Sequence, residues 1–170
     1  AYTKSFFQEL NGYAGNDEIA SGDDVFLLQK AVSHFPEKVQ YLKSHNTIVV
    51  TKPLNNWRSL FHQRVRWASK TSSYQSTFGK GMGVLVFMAN LALVLAFGFL
   101  FLGVITFQNL FLLFALKFSI DSVLIHKTNR FLTQNKMRYL ISSSVFYPFF
   151  STSVALYSLF GKYKWKGRKF

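Results

Sequence analysis

The chain has 170 residues, a formal net charge of +13, 49% hydrophobic and 18% aromatic residues, twenty Phe and no Cys. The missing thiols exclude disulfides and Cys-based metal sites, and so large an apolar share is too greasy for a small soluble domain. Residues 1–80 carry ten Lys/Arg and six Asp/Glu, whereas residues 81–170 carry ten Lys/Arg and only Asp121. In the second half the basic residues sit between long apolar runs and no zinc-finger or RNA-binding signature accompanies them, so anionic lipid headgroups and not nucleic acid are the expected partner.

No initiator Met or signal peptide opens the sequence, which therefore reads as the carboxy-terminal piece of something longer. Gly12, Gly15 and Gly22 punctuate a polar opening stretch. Four of the seven acidic residues, Asp17, Glu18, Asp23 and Asp24, fall within eight positions and lead into the apolar run Val25–Leu28. Asp24 to Ser33 reads as a short helix, with Ser21 as N-cap and Asp24 three residues later, as in a capping box. Carboxylates at a helix start are favoured by the macrodipole alone. The same position also suits a general base for an attacking hydroxyl, with an adjacent carboxylate to raise its pKa. The β-branched run Thr47–Thr51 predicts a strand, stopped by Pro53 and Asn55–Asn56. Strand and helix together predict the end of an α/β domain over residues 1–80.

A helix is predicted from about Trp57 to Lys70. Arg58, His62, Arg66 and Lys70 recur every four residues, opposite an apolar face of Trp57, Leu60, Phe61, Val65 and Ala68. Such a basic, Trp-bearing amphipathic helix suits a membrane interface. Gln63, Arg66 and Trp67 fall at i, i+3 and i+4 and so point one way. Arg clamps a diphosphate through paired hydrogen bonds, and Trp stacks on a sugar ring while Gln reads a hydroxyl. A purely lipid-facing helix with snorkelling arginines fits the same spacing equally well.

From Gly81 to Leu116 there is no charged residue. A span takes about twenty residues, so the run predicts two helices, 81–107 and 110–126, broken at Gln108–Asn109. Lys117 and Asp121 share a face of the second, as an internal ion pair or as the lining of a polar path. His126 to Arg138 is a basic connector. Residues 139–160 form a third apolar stretch with Pro148 inside it, and 161–170 a basic cytoplasmic tail. Because both flanks are basic, the stretch either re-enters, bent at Pro148, or carries one basic flank outside.

Gln63-Arg64-Val65-Arg66-Trp67 matches the Q-x-x-R-W motif of membrane-bound glycosyltransferase family 2, which includes cellulose synthase, hyaluronan synthase and ceramide glucosyltransferase. Ser21-Gly22-Asp23-Asp24-Val25-Phe26-Leu27-Leu28 resembles that family's T-E-D segment. The opening Ala1–Tyr13 resembles the stretch before it, and Trp165-Lys166-Gly167-Arg168 the tail of many bacterial members. The resemblance implies an inverting transferase that moves a sugar from a nucleotide-diphosphate sugar to a lipid or glycan acceptor. It implies a GT-A-type α/β domain, here only its carboxy-terminal part, followed by membrane helices in a bacterial inner membrane with the catalytic part cytoplasmic. By the same resemblance Asp24 is the catalytic base, Asp23 its support, and Gln63, Arg66 and Trp67 bind substrate. A divalent metal, Mg or Mn, is implied with its ligands mostly upstream, so the piece alone is expected to be inactive. Gly-Asp-Asp in place of Thr-Glu-Asp is the departure, and it bears on Asp23. The alternative from another class is a non-catalytic membrane anchor or adaptor with a basic interfacial helix.

Overall fold

The computed structural model describes residues 1–15, 22–71, 74, 76–133 and 137–161, together with the backbone of 164–165 and 168–169. Two short helices come first, α1 (Lys4–Glu9) and α2 (Asp23–His34). Thr3 caps α1 by accepting from the Phe6 amide, and Lys30 on α2 donates to the Gly12 and Ala14 carbonyls, at 2.8 and 3.1 Å, to hold the intervening turn. Leu10, Leu27 and Ala31 are buried between the two helices, with Phe6, Phe7, Phe35 and Val39 packed around them.

The expected α/β domain is not there. Among the described residues of 1–80 there is no strand; Thr47 ends a 3-10 turn (His45–Thr47), and residues 48–51 run extended without a ladder. Val49 and Val50 are 85% and 84% exposed, so neither β-branched side chain has found a face to cover. Strand propensity reflects packing on a pleated, half-buried surface, and without that surface it forms nothing. The one ladder among the described residues is a two-residue antiparallel pairing of β1 (Lys164–Trp165) with β2 (Arg168–Lys169) in the tail. The architecture is helical.

After the extended segment, Asn56 accepts from the Ser59 amide at 2.8 Å and starts α3 (Trp57–Ala68). Three long helices follow, α4 (Thr77–Phe101), α5 (Phe107–Leu132) and α6 (Leu140–Phe160), each long and apolar enough to cross a membrane. Their side chains are exposed over most of their length, as lipid-facing surfaces are. The turn between α4 and α5 falls at 102–106, earlier than the expected break at Gln108–Asn109. Gly103 takes a φ of +69° there, and Thr106 caps α5 by accepting from the Asn109 amide. A polar pair is thus absorbed into the first turn of a helix, where Asn109 N–H needs a partner, while the glycine makes the corner. Leu93 and Ala96 of α4 are buried against Leu110 of α5, closing the hairpin.

Helix α6 runs unbroken through Pro148. At 1.5 Å per residue its 21 residues span about 31 Å, close to a hydrocarbon core. Proline leaves the Ser144 carbonyl without its helical donor; Pro148 itself is buried, and neighbouring helices make such a defect tolerable. Helix α6 packs on both α4 and α3. Phe97 of α4 meets Phe149 at 5.3 Å between ring centroids, and Phe61 of α3 meets Phe150 and Tyr157 at 6.1 and 5.5 Å. Val65 is fully buried beside Val154, with Ala68 next to them. The apolar stripe of α3 therefore covers protein, not lipid, along Phe61, Val65 and Ala68. Trp57, at the start of that stripe, meets Phe150 edge-on at 6.2 Å and is otherwise 77% exposed.

Candidate functional site

The site is built where α2 begins and α3 ends. Helix α2 starts at Gly22, which takes a φ of +98° and supplies no side-chain cap. Ser21, Asp17 and Glu18 lie outside the described residues, and the capping position belongs to Gly22. The first turn carries Asp23 and Asp24, both exposed. Placing carboxylates at a helix start is electrostatically favourable.

Asp24 sits in the wall of a cavity of about 730 Å³ between α1 and α2, lined also by Tyr2, Phe6, Leu27, Lys38 and Gln40. That volume lies within the range of small-molecule sites, and its lining mixes apolar rings with a few polar groups. Lys38 is tied down at one rim by an ion pair with Glu9 at 3.0 Å and by the Phe35 ring, 4.2 Å from its ammonium.

Gln63, Arg66 and Trp67 do not line this cavity. Gln63 and Arg66 are half-buried on α3, while Trp67 is 44% exposed and carries the Arg64 guanidinium 4.6 Å above its ring. Arg64, a variable position of the motif, is thus the residue that the indole engages. The link from α3 to the carboxylates is Lys70, two residues past the helix and 6% exposed. Its Cδ and Nζ lie 3.2 Å from where a Cβ would stand on Gly22. Burial and the neighbouring Arg66 guanidinium hold its ammonium below the ordinary lysine range, against an opposing pull from Asp24 and Asp23. Phe26 of α2 closes the junction from below with Tyr74, ring to ring at 6.1 Å. Lys70 is thus the residue on which Arg66, Asp24 and Asp23 all act electrostatically.

Lys70 was visible in the sequence only as the last member of a basic stripe, where lysines are normally solvated. Nothing local signals its burial; that follows from a contact 48 positions back in the chain, with Gly22.

A second polar constellation lies inside the membrane helices. Lys117 donates to Asp121, and the pair lines a cavity of about 300 Å³ with Asn90, Ser143, Ser144 and Tyr147. Asn90 is 1% exposed; its amide donates to the Val86 carbonyl at 2.8 Å, and its Oδ1 has no hydrogen-bond partner. Asn90 precedes Phe101 by eleven residues and Lys117 follows Phe107 by ten, so both stand about 15 Å from the α4–α5 turn, near mid-bilayer depth.

Among the described residues no group of three or more His, Asp or Glu side chains is arranged to hold a metal ion. Comparison with protein-family models, with curated proteins and with solved structures finds no match to this chain.

Proposed function

We propose that the chain takes part in transferring a sugar from a nucleotide-diphosphate sugar to a hydroxyl of a lipid or glycan acceptor at the membrane surface. The observation that carries this reading is the position of Asp24. It lies in the wall of the cavity between α1 and α2 and within electrostatic reach of Lys70. A carboxylate between an acceptor-sized cavity and a cationic group is what displacement at an anomeric carbon requires. The acceptor oxygen gives its proton to Asp24 as it bonds to the anomeric carbon. The bond from that carbon to the diphosphate oxygen breaks, and the electron pair leaves with the diphosphate. Cations placed where that charge develops lower the barrier because they are fixed before the reaction begins.

Asp23 supports the charge of its neighbour at the helix start. Gln63 and Trp67 stand one turn apart on α3, available to a sugar on the side of that helix away from α6. The packing of α3 on α6, a helix long and apolar enough to cross a membrane, supports a lipid-borne acceptor. The sequence motifs Gly22-Asp23-Asp24 and Gln63–Trp67 are the further support.

The test is a donor screen. Full-length protein in detergent is offered UDP-, GDP- and dTDP-sugars with a lipid extract as acceptor, and nucleoside diphosphate release is followed. One donor should be turned over in an acceptor-dependent way, with Arg66→Ala slowing release by about a hundredfold or more, the usual scale for loss of a group that stabilises developing charge. If no donor is consumed, a non-catalytic anchor or adaptor with α3 as its basic element is the better reading.

A further inference from the structure

The polar cluster inside the membrane helices contains a hydrogen bond that the protein does not complete. Asn90 is 1% exposed, and its Nδ2 donates to the Val86 carbonyl one turn back at 2.8 Å. That bond fixes which way the amide points. Its Oδ1 is left as an acceptor without a donor, on a residue that lines the cavity of about 300 Å³. A buried amide oxygen costs free energy until a donor reaches it. The nearby ammonium of Lys117 goes to Asp121, and the hydroxyls of Ser143 and Ser144 go to the Leu140 carbonyl. The ion pair has no net charge, so the cluster calls for an uncharged donor from outside.

The structure has a route for one. A second cavity, of about 350 Å³, is lined along α5 by Leu124, Ile125, Thr128, Asn129 and Thr133. The two cavities share Leu124 and Ile125. Together they lead from Asn90 and Lys117, near mid-bilayer depth, to Thr133 at the end of α5. The other direction is blocked. One turn past Asn90, Leu93 and Ala96 are packed on Leu110, and Phe114, one turn before Lys117, joins the same core.

Water suits this path. At about 30 Å³ per molecule the inner cavity has room for several waters. A bound water takes about two to four polar partners, and Asn90 Oδ1, the Asp121 carboxylate and the serine oxygens supply acceptors. We infer that the two cavities form a water-filled half-channel, open at the end of α5 and closed beyond Asn90, whose Oδ1 holds the innermost water. It brings water to mid-bilayer depth from one side of the membrane only. The inference stands independently of the transfer reading. Lys117 and Asp121 still need one another, because a short file of water does not replace bulk solvent around a charge.

The chain has no Cys, so an introduced thiol is the only one present. Val86→Cys puts it in the inner cavity; Leu85→Cys puts it one residue away, at the same depth but off the cavity and 58% exposed. The probe is methanethiosulfonate ethylsulfonate, an anionic reagent that stays in water and attacks the thiolate. With the full chain in phosphatidylcholine nanodiscs, modification at 86 is expected to be at least tenfold faster than at 85. Asn90→Leu in the Val86→Cys chain removes the acceptor and should slow modification tenfold or more. The comparison of 86 with 85 leaves Asn90 untouched, so it holds whether or not that variant folds. Equal rates at 85 and 86, or a rate at 86 that Asn90→Leu leaves unchanged, overturns the inference. Adding hexadecanol to the nanodiscs separates water from a lipid hydroxyl. An unchanged rate at 86 is expected, and a tenfold fall would give the cavity to a lipid alcohol and overturn the half-channel.

Discussion

Gly22 and Lys70 meet face to face across the junction of α2 and α3, with the glycine Cα leaving open the volume that the lysine Cδ and Nζ approach to 3.2 Å of a would-be Cβ. Two constraints fall on one residue, since Gly22 also holds a φ of +98°. An alanine there takes on the left-handed penalty, about 1–2 kcal/mol, and asks the flexible end of Lys70 to give by a few tenths of an ångström. Gly22→Ala is expected to lower the thermal midpoint of the full chain. Gly15, also at positive φ but with nothing within 4 Å of its Cβ position, is the control: Gly15→Ala should carry the backbone penalty alone. Thermal unfolding of both variants checks this.

Lys70 gives stability a pH dependence whose sign is fixed. Burial first, then Arg66, depress its folded-state pKa below that of an ordinary lysine, with Asp24 and Asp23 opposing. Between the folded pKa and the ordinary value the unfolded chain binds more protons, so stability rises with pH through that alkaline window and levels off above it. Lys70→Met should lack this rise. Melting curves of wild type and variant across the alkaline range test it, and parallel profiles would show that the ammonium is not depressed by its surroundings.

In the membrane helices, Lys117 and Asp121 neutralise one another on a single face of α5. Removing one partner strands a charge at mid-bilayer depth, whereas removing both leaves none. Lys117→Leu or Asp121→Leu alone should cost a few kcal/mol, about 2–4, with the double replacement close to wild type. A double-mutant cycle on unfolding in mild detergent reads the coupling directly, and additive single effects would contradict the pairing.

The membrane part was the most legible in the sequence. A 36-residue stretch without charge has few other solutions, and its three helices follow from length and apolarity. The start of α3 at Trp57 was legible too, from the periodicity of its basic and apolar residues. What failed was the strand at Thr47–Thr51. Five β-branched and apolar residues satisfy local propensity, but a strand is a relation between segments, and among the described residues no other segment offers one. The partner of the apolar stripe on α3 was not legible for a related reason. Such a stripe says that something will cover it and not what, and Phe150, Val154 and Tyr157 of α6 cover part of it. Of the candidate site, motif spacing singled out Asp23, Asp24 and the Gln63–Trp67 set, whereas Lys70 was not singled out, because its burial depends on tertiary packing that includes Gly22, 48 positions away.

The most direct test of the transfer account is the sugar-transfer rate of the full-length protein with Asp24→Asn, measured at saturating donor and acceptor. Amide for carboxylate keeps the shape of the side chain and its place at the helix start but cannot accept the acceptor's proton. Transfer should fall by about 10²–10⁴-fold, with donor binding retained and Asp24→Glu partly active. An Asp24→Asn protein that transfers sugar at the wild-type rate would contradict the assignment of this carboxylate, and with it the site at the junction of α2 and α3.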